Sequence, residues 1–421
     1  MKTLNNALIY LISNIFTASL PFILLPILTR QLSVESYGQI AMFQVLYVGI
    51  TALLSLSIVK ASSRKYYDME TFDTKGASNL IVYNSNCISL VTILFLMFYG
   101  FAYFLKGQIS TAIGIPSTWV LMAVLVAYFN ILAQFRLSQW QVRLKALNYG
   151  AFQFCIGLVN LSVSIVLVVF LSMNSEGRVL GILYTGMLSG IFALFFLNKD
   201  DVIRFGSMLN FNYVKEIVTF GLPLLPHAVG FYLLSFSDRF IINEQLGVKD
   251  TGIYLAALQL SMVLHVLFSS FDKAFLPWLF AKLKANRELT EVVKITYLLM
   301  IGFLIIAWIT FYLSPFLVLF ILGAKYLPAA NFIGYLFLGQ VFYGMYLLVA
   351  NYIFYAKKNA WISTLTITSG IFHVSLTYLF VNLYGLVGVG YAFTLSKAMQ
   401  FIGAWFLAIK SYPMPWFKFR G

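Results

Sequence analysis

Long apolar runs follow one another along almost the whole chain, at roughly 6–28, 38–60, 79–104, 118–135, 151–172, 179–197, 216–242, 253–271, 292–313, 331–355, 361–381 and 386–409. A stretch such as Ile88 to Phe98 is apolar on every face, unlike a membrane barrel strand, which has alternating polarity over about ten residues. Lipid offers no partner to open backbone groups, so helices are the remaining way across. At roughly 20 apolar residues per crossing, the runs predict an all-α integral membrane protein with about 12 transmembrane helices. The first run follows Lys2, contains Asn14, Pro21 and Pro26, and has no small-residue cleavage site after it. It is expected to be a retained helix, not a signal peptide.

An internal repeat organises the runs. Leu32-Ser-Val34-Glu-Ser-Tyr-Gly38, between the first and second, lines up with Leu246-Gly-Val248-Lys-Asp-Thr-Gly252, between the seventh and eighth, at an offset of 214 residues. Gly177 and Gly181 match Gly385 and Gly388 more loosely. An even number of helices per repeat gives both halves the same topology, with a pseudo-twofold axis along the membrane normal. The expected lobes are 1–200 and 201–421, six helices each, around a central cavity. Pro21 and Pro26 in the first run and Pro223 and Pro226 in the seventh remove backbone donors. They are expected to bend the two helices at comparable places and to serve as gating bends.

Composition agrees: 61% of the 421 residues are hydrophobic and only 10% charged, against about 45–50% and about 25% in soluble domains. The net charge of +14 would suggest nucleic acid in a soluble protein. Here it reads as topology, because Lys and Arg are retained in cytoplasmic connections. With both termini inside, 21 of the 28 basic residues fall on inner connections and six at the outer face, leaving Lys397 in mid-run. The inner set includes Lys2, Arg64, Lys75, Arg136, Arg287, Lys418 and Arg420. Nucleic acid is therefore not an expected partner. Cys87 and Cys155 both lie in apolar stretches and suggest neither a disulfide framework nor a thiolate metal site.

Catalytic signatures are missing. No Gly-Lys dipeptide, His-Glu-x-x-His helix or Gly-x-Ser-x-Gly elbow occurs, and no metal site or cofactor is expected. Asp200-Asp201 resembles half of a magnesium site on a lipid diphosphate, but its surroundings, Asn198 to Arg204, read as a solvated turn.

Membrane-embedded polar residues are the remaining candidates. Lys397 lies about 12 residues from either end of its run, or about 18 Å along a helix, beyond the reach of a snorkelling side chain. It is expected to line a cavity. Asp238 and Arg239 sit near the outer end of the seventh run, close enough to the surface to reach water, and point about 100° apart on a helix. Arg30 and Lys60 end the first and second runs and are cavity or anchor candidates. His265 and His373 lie in mid-run, where an imidazole either bonds a neighbouring helix or relays protons. Asn14 and Gln44 add polar faces.

Several patterns, in this order and spacing, resemble the polysaccharide flippases that move lipid-linked O-antigen units, in the multidrug, oligosaccharidyl-lipid and polysaccharide exporter superfamily. They are Leu20-Pro-Phe-Ile-Leu-Leu-Pro-Ile-Leu-Thr-Arg30 with Leu32 to Gly38, Ser237-Asp-Arg-Phe240 before Leu246-Gly247, Leu322-Gly-Ala-Lys-Tyr326, and Tyr384-Gly-Leu-Val-Gly388. The resemblance implies a multi-pass bacterial inner-membrane transporter with both termini cytoplasmic. It would carry an undecaprenyl-diphosphate-linked oligosaccharide from the cytoplasmic to the periplasmic leaflet. It also implies membrane lipids and the polymerase and chain-length proteins of such a pathway as partners. Cationic cavity residues of the family are thought to hold the anionic head group. Asp238 and Arg239 match its Asp-Arg pattern and Arg30 its Thr-Arg helix end, whereas Lys397 is assigned from its depth alone.

Two rivals remain, a cation-coupled multidrug exporter of the same superfamily and a membrane transferase or polymerase of the polysaccharide pathway. An exporter of that kind needs a carboxylate inside the membrane, and with Asp238 placed near the surface none is expected. A polymerase would be expected to carry a large outer loop, and the longest outer connection, 314–331, is short. The energy source stays open between the membrane potential and a H+ or Na+ gradient acting through Asp238 or a histidine.

Overall fold

The apolar runs become helices because no backbone group inside them has a partner other than its own chain. The computed structural model describes residues 2–68, 74–285 and 289–416. Arg287, Lys418 and Arg420 lie outside the described residues. The helices are α1 (Lys2–Gln31), α2 (Val34–Leu54), α3 (Ile58–Asp68), α4 (Thr74–Ile113), α5 (Ser117–Val142), α6 (Ala146–Ile165), α7 (Asn174–Lys199), α8 (Phe211–Gly221), α9 (Leu225–Gln245), α10 (Val248–Ala285), α11 (Leu289–Leu317), α12 (Ile333–Tyr355), α13 (Asn359–Tyr384) and α14 (Leu386–Ser411). Among the described residues 11 spans are long and apolar enough to cross a membrane, α2 and α3 together forming one of them.

The expected seventh helix, 216–242, is two helices instead. A 3-10 turn, Leu222–Leu224, separates α8 from α9. The cause is Pro223, which has no N–H for the carbonyl one helical turn earlier. By contrast, α1 runs uninterrupted through Pro21 and Pro26. The two proline pairs therefore differ in one respect: the helix is interrupted at Pro223 and continues through Pro21 and Pro26. The eighth run is also longer than its apolar core: α10 covers 38 residues and takes in Asp272 and Lys273, expected in a connection.

The chain forms two compact units, Met1–Leu20 with Gln39–Phe236, and Pro21–Gly38 with Ser237–Gly421. Counting spans divides it differently, at 200/201. Residues 21–38 pack with the second unit and 201–236 with the first.

In the first unit α5 is the inner helix, packed against α3, α4 and α7. Leu54, Ile58, Cys87, Val91, Ile131, Phe135, Leu197 and Ile217 form its buried core. Arg136 of α5, counted by sequence among the loop cations, is completely buried. Its guanidinium lies 4.1 Å from the Trp140 ring centroid and is ion-paired with Asp200 at the end of α7. Lys145 stands 3.5 Å from the same carboxylate. Partial burial pushes the Asp200 carboxyl up, but Arg136 and then Lys145 outweigh it, so it lies below the usual range. Asn198, Lys199, Asp201 and Arg204 are exposed around a turn, as the sequence reading has it, while Asp200 within it serves as a structural counter-ion.

In the second unit α12 is the inner helix, packed against α10, α11 and α14. Counting α2 and α3 as one span, α5 and α12 are the fourth spans of their halves. Each packs on the third and sixth spans of its half, α4 and α7 or α11 and α14. The repeat read from sequence is thus carried by packing as well as by residues. Both copies of its motif open a helix at the valine: Val34 starts α2 and Val248 starts α10. Ser33 caps α2 by accepting from the Ser36 N–H at 3.0 Å. In the second copy Gly247, at φ +90, supplies a turn that L side chains resist.

Candidate functional site

Lys397 sits near the middle of α14, about 16 Å from its first residue at 1.5 Å per residue. The side chain is half-buried. Its ammonium lies over two rings, 5.5 Å from the Tyr343 centroid and 5.7 Å from that of Phe393. Such contacts partly replace lost hydration. Among the described residues, the ion pairs do not include Lys397.

Helical spacing assembles polar partners around it. Tyr343, on α12, stacks on His265 of α10 with centroids 4.4 Å apart and planes 16° apart. Gln340, one turn before Tyr343, hydrogen-bonds His265. His373, buried on α13, places Nδ1 3.3 Å from the hydroxyl of Ser396, the residue preceding Lys397. Both imidazoles therefore bond or stack on neighbouring helices while lying close enough to Lys397 to feel its charge.

Asp238 and Arg239 are not at a wetted surface, as their place in the sequence suggested; they are 5% and 8% exposed. The reason is α10, whose early turns pack Tyr254 against α9. The Tyr254 hydroxyl donates to Asp238 Oδ2, and the Arg239 backbone N–H donates to Oδ1 at 2.8 Å. The carboxylate is close enough to interact electrostatically with Lys397 and His373. A second carboxylate on α10, Asp272, accepts from the Asn351 side chain of α12 at 2.7 Å.

Of the residues singled out by sequence, the second unit therefore gathers Lys397, Asp238, His265 and His373. Arg30 is placed elsewhere in that unit. Exposed at the end of α1, it donates to the Phe320 carbonyl at 2.9 Å, in the π turn that follows α11. Lys325 returns the tie, donating to the Arg30 and Leu32 carbonyls at 3.2 and 3.3 Å. Lys60 is exposed on α3 in the first unit. Pro21 is fixed through its carbonyl, which accepts from Gln259 at 2.8 Å, while Gln259 accepts from Tyr37 at 2.7 Å. Tyr254, Tyr343 and Asp272 were not singled out from sequence. The only sign was a polar atom on an otherwise apolar span, and the two tyrosines are among 26.

The arrangement offers an ammonium on an aromatic face within electrostatic range of a buried carboxylate and two imidazoles. It can take up an anionic group at Lys397 and a proton or small cation at Asp238.

The family described as "Polysaccharide biosynthesis protein" matches residues 3–283. Lsg locus putative protein 1 of Haemophilus influenzae is 26% identical over 387 residues, covering 89% of this chain and 90% of that protein. Among solved structures, an inward-facing multidrug resistance MATE family transporter of the MOP superfamily aligns with a TM-score of 0.73. It is 14% identical, with 93% of this chain and 94% of that one covered. Lipid II flippase MurJ in an inward closed conformation aligns with a TM-score of 0.71 at 15% identity, covering 96% and 87%. These structures share the two-lobed all-helical fold.

Proposed function

Since the chain belongs to the polysaccharide biosynthesis protein family, we propose that it is a flippase for a lipid-linked oligosaccharide of a surface polysaccharide. The cargo is an undecaprenyl-diphosphate-linked repeat unit, O-antigen or related, carried from the cytoplasmic to the periplasmic leaflet of the bacterial inner membrane by alternating access. Both termini are cytoplasmic in this reading, because that orientation places most basic residues inside. The observation that carries the reading is Lys397, an ammonium at mid-span on the faces of Tyr343 and Phe393. A diphosphate is the complementary group, held by charge-assisted hydrogen bonds. The similarity to a lipid II flippase supports a lipid-linked cargo.

In the mechanism proposed, the head group enters from the cytoplasmic side while its lipid tail stays in the bilayer. It meets Lys397, and Asp238 serves as the counter-charge when no cargo is bound. The membrane potential acts on the moving anion, or a H+ or Na+ gradient acts through Asp238. Arg239, Arg30 and Lys60 are proposed as secondary contacts for the anionic cargo. Pro21, Pro26, Pro223 and Pro226 are proposed as the flexible points, the break at Leu222–Leu224 above all. The polymerase and chain-length proteins of the pathway are proposed as partners.

A second reading, a cation-coupled multidrug exporter, gains from one observation. Sequence placed no carboxylate inside the membrane, yet Asp238 is buried and Asp272 lies within α10. Deleting the gene separates the readings. A flippase leaves complete lipid-linked repeat units on the cytoplasmic face, an exporter leaves the glycan unchanged, and a transferase leaves truncated units.

A further inference from the structure

A cavity of about 530 Å³ opens in the first unit between α3, α4 and α8, away from the Lys397 site. Its lining includes Arg64, Lys65, Asp68, Tyr83, Lys215 and Glu216. Three cations and two carboxylates share one small space, a nearly balanced set where a purely anionic ligand would call for cations alone.

The position in the fold fixes the depth. Arg64, Lys65 and Asp68 form the last turns of the span Val34–Asp68, and Tyr83 lies five residues inside the span that begins at Ser78. The cavity is therefore at a membrane–water boundary. The chain just before α8 is held at that depth by three bonds to α4. The Arg204 N–H donates to Ser85 at 2.9 Å, the Asn210 N–H to Asn86 at 2.8 Å, and the Asn84 amide to the Val202 carbonyl at 3.2 Å. Along this strapped segment Phe205, Met208, Leu209 and Phe211 are all exposed. At an interface such side chains are covered by acyl chains.

Part of the lining is already fixed and part is available. Lys65 bonds both Glu216 oxygens at 2.7 and 2.9 Å and lies over the Tyr83 and Tyr213 rings at 5.1 and 5.8 Å. Arg64 bonds one Asp68 oxygen at 3.1 Å. Lys215 is exposed at the mouth.

From this we infer that the cavity binds the head group of a zwitterionic phospholipid bearing a primary ammonium. The phosphodiester is held by Arg64 and Lys215 and the ammonium by Asp68, with the acyl chains lying along Phe205 to Phe211. The inference does not depend on what the protein transports.

The test uses the full chain in nanodiscs of equal parts phosphatidylethanolamine, phosphatidylglycerol and phosphatidylcholine, with retained lipid counted by native mass spectrometry after detergent extraction. Wild type is expected to retain phosphatidylethanolamine over phosphatidylcholine, whose methylated ammonium donates no hydrogen bond. Arg64→Ala with Lys215→Ala should lower that retention about a hundredfold, about tenfold for each of the two charge-assisted hydrogen bonds removed. Asp68→Asn should lower the preference for phosphatidylethanolamine over phosphatidylcholine. Displacement by glycerophosphoethanolamine but not by inorganic phosphate would support the whole head group as ligand. Equal retention of all three lipids by wild type overturns the inference without reference to any variant. A preference for phosphatidylglycerol, or displacement by inorganic phosphate alone, also overturns it.

Discussion

Gly38 and Gly252 lie against each other's helices in a reciprocal contact: a Cβ on Gly38 would collide with the Val248 carbonyl, and one on Gly252 with the Val34 carbonyl. These four residues are the valines and the closing glycines of the two repeat motifs. The repeat is therefore built into a backbone approach that only glycine permits, and the obstacles are carbonyls, which cannot turn aside as a side chain can.

Gly38→Ala and Gly252→Ala are each expected to destabilise the protein by about 1–3 kcal/mol, the usual cost of overpacking. Gly107→Ala and Gly302→Ala serve as controls, since a Cβ there meets no atom within 4 Å. Thermal unfolding in one detergent checks this. Equal melting of all four variants would remove the packing argument.

Lys397→Ala should insert and fold as wild type does, because the ammonium makes ring contacts in place of an ion pair, and should abolish surface glycan. Tyr343→Phe keeps the ring under the ammonium and should retain export, whereas Tyr343→Ala should not. Glycan staining at matched membrane levels decides. Normal glycan in Lys397→Ala would remove this residue from the mechanism.

Asp238→Asn keeps the shape that accepts from Tyr254 but removes the negative charge that acts electrostatically on Lys397. Slower export with normal protein levels is the expected result, with Tyr254→Phe milder because it leaves the charge in place. An Asp238→Asn strain with unchanged glycan would exclude the carboxylate as counter-charge.

The Arg136–Asp200 pair sets an acid limit. Because the Asp200 carboxyl is held below its usual range by Arg136 and Lys145, its stabilisation is complete above the unfolded-state pKa and is lost as pH falls through the folded one. Asp200→Asn leaves the buried Arg136 charge without its partner and should cost about 3 kcal/mol at neutral pH. It should also flatten the loss of stability below about pH 4. Melting curves measured from pH 3 to 7 provide the check.

Lys397 was legible in the sequence because depth along one helix can be counted. Counting along its own run puts Asp238 near a helix end, where it lies, but does not take it out of water's reach, because its burial comes from Tyr254 on another helix. Arg136 fell one residue beyond an apolar run and was counted with the loop charges, although its partner Asp200 was in view as a loop acid. The break at Leu222–Leu224 was signalled by Pro223, but proline alone did not distinguish it from the unbroken α1. Gly38 and Gly252 were visible as a repeat. That they touch depends on tertiary packing, which no spacing encodes.

Flipping itself can be measured by reconstituting the purified protein in vesicles with a fluorescent undecaprenyl-diphosphate oligosaccharide and following exposure of the sugar to an external lectin. The expected result is transfer between leaflets that depends on the protein and is lost in Lys397→Ala. Transfer no faster than in protein-free vesicles, with the protein folded and correctly inserted, would contradict it.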